Sequence, residues 1–170
     1  MKGVILAGGL GKRLYPLTKI TNKHLLPVYN KPMIFYPIET LIDAGITDIL
    51  IVTGGNFAGD FLQLLGNGKM FGLPNLNYTY QEGEGGIADA LSLAEHFSKD
   101  DKIVVILGDN IIEKSIKEQV EIFKKQKKGA RILLKKVENP ERFGVVEFNK
   151  KGKIKRIIEK PEKAPTDYVV

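Results

Sequence analysis

The sequence predicts an α/β fold: a mostly parallel sheet with helices on both faces, and a β-hairpin near the C-terminus. Three observations carry this expectation. Strand-like runs alternate with helix-like runs along most of the 170 residues, the pattern of a sheet built from crossover units. The central strands, such as Val4-Ile5-Leu6-Ala7 and Ile103-Val104-Val105-Ile106-Leu107, are continuously apolar rather than alternating, as strands covered on both faces are. Glycine and polar residues come directly after the strands, and in such sheets ligands sit beyond the carboxyl ends of the strands.

The elements run in order. Residues 2–6 form an apolar strand met at once by glycines. Residues 33–44 read as a helix, entered through Lys31-Pro32 and stopped by Gly45. Residues 48–52 are a second strand, ending at Thr53-Gly54-Gly55. Residues 57–65 are a short amphipathic helix, begun by Asn56 and stopped by Gly66. A strand at 76–80 and a helix at 87–97 lead to the fully apolar strand 103–107, which stops at Gly108-Asp109-Asn110. A helix at 115–126 and strands at 131–137 and 145–148 come next. Residues 149–152 turn the last of these back into a strand at 154–159, a hairpin, and Asp167-Tyr168-Val169-Val170 reads as another strand beginning. No linker, repeat or low-complexity segment interrupts the chain, so one domain over 1–170 is expected.

Composition narrows the classes. The apolar share of 43% and charged share of 27% are those of a globular domain. No apolar run approaches the ~20 residues of a membrane helix, and Val4-Ile5-Leu6-Ala7 is too short for a signal peptide. With no cysteine, disulfides and thiolate metal sites are excluded and a cytoplasmic location is the expectation. The net charge of +6 suits anionic partners. Lys117, Lys124, Lys125, Lys127 and Lys128 read as the solvated face and end of one helix. Aromatic residues do not interleave with these lysines, and no nucleic-acid motif occurs, so neither nucleic acid nor membrane is an expected partner.

Chemistry concentrates after the strands. Gly8-Gly9-Leu10-Gly11-Lys12-Arg13 has glycines whose backbone N–H groups can approach phosphate oxygens, and a guanidinium fork suited to phosphate. Two known phosphate motifs fail here. Arg13 stands where a P-loop needs Ser or Thr, with Leu6 at its first glycine, and Leu14 replaces the last glycine of the dinucleotide fingerprint. That failure disfavours an NAD-dependent dehydrogenase. The residues alone leave open a tight turn with a surface arginine. Lys23, ahead of Leu25-Leu26-Pro27-Val28, is either a second phosphate contact or an exposed loop lysine. His24 reads as a local hydrogen-bonding or surface residue rather than a base. Asp109 closes the most apolar strand, as a Mg²⁺ ligand or as an Asx turn.

Six motifs then line up. They are Gly8-Gly9-x-Gly11-x-Arg13-Leu14-x-Pro16-x-Thr18, Lys23-x-Leu25-Leu26-Pro27-Val28, Lys31-Pro32-Met33-Ile34, Gly108-Asp109-Asn110, Phe143-Gly144-Val145-Val146 and Glu159-Lys160-Pro161. Their order resembles the signature of the sugar-1-phosphate nucleotidyltransferases, over the whole chain. Tyr36-Pro37, and Gln81 ahead of Gly85-Gly86-Ile87-Ala88, favour the branch that uses dTTP. Lys12 departs from the Thr or Ser of many relatives.

The resemblance implies a Rossmann-like fold of the nucleotide-diphospho-sugar transferase type. It also implies transfer of a nucleotidyl group from dTTP, or UTP, to a hexose 1-phosphate, glucose 1-phosphate first, with Mg²⁺ as cofactor. Leu6, Gly8, Gly9, Gly11, Arg13, Gln81, Gly86 and Asp109 would bind nucleotide. Arg13, Lys23 and Lys160 would carry the catalytic charge, and Asp109 would hold the metal. Gly144, Glu159 and Lys160 would bind the sugar phosphate, although Glu159 and Lys160 alone read as an exposed strand end before Pro161. Gln81, both donor and acceptor, would match the N3–H and carbonyl of thymine or uracil. The resemblance allows a homo-oligomer. It also implies that relatives continue past Val170, with a second magnesium aspartate, so the domain is expected to be truncated at its C-terminal end. A non-catalytic nucleotide-binding or partner-binding module is the alternative.

Overall fold

The computed structural model describes every residue but Leu10 and Glu84, which lie inside the predicted glycine turn and the stretch after Gln81. The chain divides into two compact units, Met1–Lys125 and Gln126–Val170.

The first unit opens with β1 (Lys2–Ala7) and three 3-10 turns at Lys12–Leu14, Leu17–Lys19 and Lys23–Leu25. A small antiparallel pair, β2 (Pro27–Val28) and β3 (Lys31–Pro32), precedes α1 (Phe35–Asp43). Then come β4 (Asp48–Gly54), α2 (Ala58–Leu65), β5 (Asn75–Gln81), α3 (Gly86–Ser92), α4 (Glu95–Ser98), β6 (Ile103–Leu107) and α5 (Lys117–Lys125). The sheet runs β5-β4-β1-β6, and every pair in it is parallel.

Strand alternation sends the side chains of this sheet to two apolar layers. Ile5, Ala7, Ile49 and Ile51 pack with Ile38, Leu41, Phe61 and Val120 of α1, α2 and α5. Val4, Leu6, Leu50 and Val52 pack with Ala90 of α3 and with Ala94. The doubly apolar strands thus account for helices on both faces.

Helix ends obey local chemistry. α1 stops in a Schellman arrangement: Gly45 sits at φ 77° and its N–H reaches the Ile42 carbonyl, while Ile46 N–H reaches Leu41. The helix expected at 87–97 is two pieces. Ser92 Oγ donates to the Asp89 carbonyl at 2.7 Å, and Ala94 N–H takes the three-residue bond to Leu91, so the ladder breaks between α3 and α4. On α5 only Val120 is buried, and Lys124 pairs with Glu121 at 2.6 Å, in keeping with a solvated lysine face. Among the described residues, no helix is long and apolar enough to cross a membrane.

The second unit is an antiparallel sheet in the order β7-β10-β8-β9. Its strands are β7 (Lys135–Lys136), β8 (Gly144–Phe148), β9 (Ile154–Glu159) and β10 (Tyr168–Val169). The predicted hairpin is present. Asn149 Oδ1 accepts from Lys151 and Lys153 N–H, and Gly152 at φ 69° completes the turn. The strand expected at 131–137 shrinks to Lys135–Lys136, because only these two residues find ladder partners, in Val169 and Tyr168. Val145, Val146 and Val169 are buried here, and the Phe148 and Tyr168 rings meet edge to face at 5.9 Å.

Candidate functional site

The order β5-β4-β1-β6 reverses direction in sequence between β1 and β6, and ligands in parallel sheets bind at that point, beyond the carboxyl ends. Gly8-Gly9 stands after β1 there, and Gly108-Asp109 after β6. Two adjoining clefts open at these ends. The first, of about 280 Å³, is walled by Leu6, Gly8, Gly9, Gln81 and Gly86, together with Lys23 and Asp109. The second, of about 430 Å³, is walled by Gly11 and Arg13, again with Lys23 and Asp109. Every predicted nucleotide-binding residue of the first unit therefore stands on one of these two clefts.

The glycines are needed for different reasons. A Cβ at Gly8 would come 2.6 Å from Gln81 Oε1, so only glycine lets that amide lie over the backbone. Gly11 sits at φ 65°, and a Cβ there would meet Lys23 Cβ and Thr18 Cγ2 at 2.9 Å each. Thr18, itself buried, donates from Oγ1 to the Gly11 carbonyl at 3.1 Å, fixing the loop from beneath. Arg13, in the first 3-10 turn, is exposed at the rim of the second cleft.

Lys23 and Asp109 join the two clefts. Lys23 Nζ donates to Asp109 Oδ2 at 2.6 Å, across 86 residues of sequence. Burial pushes the Asp109 carboxyl up, but the Lys23 hydrogen bond and charge reverse this, and its pKa lies below the ordinary value. Lys23 is held because Asn22 caps its 3-10 turn, accepting from His24 N–H at 3.0 Å. The same Oδ1 lies 2.7 Å from His24 Nδ1, and because an amide oxygen only accepts, Nδ1 carries the proton.

His24 is not a surface residue: it is 2% exposed, under Gly108, where a Cβ would come 2.7 Å from its ring. Burial, and then the charge of Lys23, bring its pKa down to about 4, against a smaller upward pull from Asp109. At neutral pH it is an uncharged wall of the site. Its local hydrogen-bonding role was legible beside Asn22, and the flanking Leu25-Leu26 run was the signal for its burial.

Gln81 ends β5 and is 5% exposed. Its Nε2 donates to the Gly86 carbonyl at 3.1 Å and to Asp89 Oδ2 at 2.7 Å. Both amide hydrogens are thus used within the protein. The expectation that Gln81 offers donor and acceptor together is corrected: Oε1 alone is left for a ligand. Sequence reasoning missed Asp89, and also the apolar wall of Ile87, Ala90 and Leu107.

Gly144, Glu159 and Lys160 come together in the second unit. Gly144 pairs with Glu159 across β8 and β9, and Lys160 N–H bonds the Phe143 carbonyl at 3.0 Å. Lys160 sits at φ 43°, with its Nζ 3.7 Å from Glu159 Oε1, and both side chains are exposed.

Known proteins resemble this chain in sequence and fold. The model of the nucleotidyl transferase family matches residues 2–170. Over all its length the chain is 44% identical to the glucose-1-phosphate thymidylyltransferase of Neisseria meningitidis serogroup A / serotype 4A, of which it covers 59%. It is 41% identical to the low-salt glycan biosynthesis nucleotidyltransferase Agl11 of Haloferax volcanii, of which it covers 47%. The chain spans about half the length of these curated relatives. A crystal structure of a Bacillus anthracis protein, named as a glucose-1-phosphate thymidylyltransferase and in complex with a sucrose, matches at a TM-score of 0.95 and 50% identity. That match covers 100% of this chain and 68% of the other. UDP-glucose pyrophosphorylase complexed with UDP-glucose, at 24% identity and a TM-score of 0.79 over 99% of this chain and 72% of its own, shares the fold. Motifs, strand order and similarity along the chain agree: it belongs to the nucleotidyl transferase family.

Proposed function

We propose that the protein binds dTTP in the two joined clefts and transfers its deoxythymidylyl group to glucose 1-phosphate, giving dTDP-glucose and pyrophosphate. The observation that carries this reading is the Lys23–Asp109 contact where the clefts meet. On one side lies an apolar slot with a single amide oxygen, suited to a base. On the other lie Gly11 and Arg13, suited to phosphates. UTP is the alternative donor, since thymine and uracil present the same N3–H. The +6 charge favours such anionic ligands, and the absence of cysteine fits action in the cytoplasm.

Asp109 is the residue that would hold a cation. Lys23 occupies Oδ2, and among the described residues no group of three or more acidic or histidine side chains gathers into a metal site. Mg²⁺ on a triphosphate suits one carboxylate, taking its other ligands from phosphate oxygens and water. When bound, it would neutralise charge at the phosphates.

The chain's own residues do the rest by position and charge. The sugar 1-phosphate oxygen attacks the α-phosphorus in line and pyrophosphate leaves. The attacking oxygen is already anionic, so no base is required, and His24, neutral and tied to Asn22, is not asked to act as one. The loop backbone at Gly8, Gly9 and Gly11 cradles the nucleotide while Arg13 and Lys23 hold the triphosphate and the departing pyrophosphate. Gly144 and Glu159 take the sugar hydroxyls and Lys160 its phosphate, a role supported by the resemblance and by their adjacency on β8 and β9.

Pyrophosphate release from dTTP and glucose 1-phosphate tests this. Arg13→Ala and Asp109→Asn are each expected to lower turnover on the order of 10²-fold or more. Unchanged turnover in either variant refutes its role. Titrated binding of dTTP without any release would assign the chain nucleotide binding alone.

A further inference from the structure

We propose that Asp89 sets the polarity of base recognition, holding the Gln81 amide with its oxygen, and not its NH₂, toward the base. The inference rests on the proposed reading in which Gln81 faces the pyrimidine. An amide has two nearly isosteric orientations, and a flip exchanges a donor for an acceptor at the same place. A free glutamine offers both and discriminates poorly between bases. Here the choice is made inside the protein. Nε2 faces the Asp89 carboxylate at 2.7 Å and the Gly86 carbonyl at 3.1 Å, two groups that only accept. The flipped amide would set its oxygen against both and lose two hydrogen bonds, one of them charge-assisted, a bias of well over tenfold.

The surroundings allow this contact at both ends. A Cβ on Gly85 would come 2.4 Å from Asp89 Cγ, so glycine there leaves the room that the carboxylate uses in reaching back to β5. A Cβ on Gly8 would come 2.6 Å from Oε1, so glycine again leaves the oxygen its place. Asp89 is in α3, and the first cleft is walled by Gln81 and not by Asp89. It acts through the amide, as a positioning residue. The consequence is chemical. Thymine and uracil carry hydrogen on N3 and can donate to Oε1. Cytosine presents a lone pair at N3 and meets oxygen with nitrogen, acceptor against acceptor. The site therefore selects the protonated-N3 pyrimidines as a class and does not separate the two members.

The test is calorimetric binding of dTTP, UTP and dCTP, with Mg²⁺, to the unaltered chain, Asp89→Ala and Asp89→Asn. The unaltered chain is expected to prefer dTTP over dCTP by roughly 10²-fold or more. In Asp89→Ala that ratio falls by roughly tenfold, because the amide loses the charge-assisted one of its two anchors and keeps only the Gly86 carbonyl, while the ratio of dTTP to UTP stays put. Asp89→Asn, which keeps an acceptor oxygen, retains more selectivity than Asp89→Ala. A ratio unchanged in Asp89→Ala, or affinity lost equally for dTTP and dCTP, overturns the role of Asp89 while leaving the Gln81 reading intact. Failure of the unaltered chain to distinguish dTTP from dCTP overturns both.

Discussion

His24 should make this protein sensitive to mild acid. His24 is 2% exposed and bonded through Nδ1–H to Asn22, and its pKa lies at about 4 against 6.5 for a free imidazole. The folded state therefore excludes a proton that the unfolded chain takes up. The stability tied to the neutral ring is fully present above pH 6.5 and is lost as pH falls toward about 4. The gap of about 2.5 units corresponds to about 3 kcal/mol in all. Between pH 7 and pH 5 the linkage relation gives a loss of about 2 kcal/mol. That is a large share of the 5–15 kcal/mol typical of a domain. His24→Gln keeps a donor for Asn22 and removes the titration. Urea unfolding of both proteins at a series of pH values reads the effect as a difference. The unaltered protein should lose about 2 kcal/mol more than His24→Gln on going from pH 7 to pH 5. Parallel pH profiles for the two would refute the reasoning.

The geometry leads to three other outcomes. Gly11→Ala places a Cβ at φ 65°, within 2.9 Å of Lys23 and Thr18, and should cost about 1–2 kcal/mol in urea unfolding and weaken dTTP binding. Phe61→Ala empties a fully buried site whose ring lies 6.4 Å from that of His24, and should cost about 3–5 kcal/mol. Lys23→Met removes the hydrogen bond and charge that do most to hold the Asp109 carboxyl down against burial. A carbon NMR titration should then find Asp109 titrating higher than in the unaltered protein. With Lys23 present, the stability tied to ionised Asp109 is kept above the unfolded pKa and lost as pH falls through the lower folded one.

Features that depend on periodicity or on local turn chemistry could be read in the sequence. The apolar runs of β1, β4 and β6 specify a doubly covered sheet wherever they occur, and Gly45, Gly66 and Gly152 mark ends that depend on a few neighbours. Residues 11–26 carry no such period; Asn22 caps only the third of their 3-10 turns, and Thr18 bonds Gly11 from beneath, contacts that no period announces. The break between α3 and α4 falls where one serine hydroxyl takes the Asp89 carbonyl. The expected strand at 131–137 failed where pairing partners ran out. In the site, Lys23 and Asp109 were each visible as chemistry, but their meeting across 86 residues is a product of the sheet order. The resemblance offered Gln81 as a reader of the base. Its orientation was not visible, because that depends on which face of α3 returns to β5, and so on Asp89.

Gly8 and Gly54 sit side by side where β1 and β4 run out, and Gly108 follows β6 beside Ala7, so the floor at these strand ends is bare peptide. Mutation has little to work with on such a floor. A side chain at Gly8 or Gly54 would strike Gln81, and one at Gly108 would strike His24. Innovation in what the fold accepts is thereby channelled onto the few side chains that overhang the floor. A lineage acquiring a new nucleobase would be expected to leave these three glycines in place and to record its history at Gln81 and Asp89 instead.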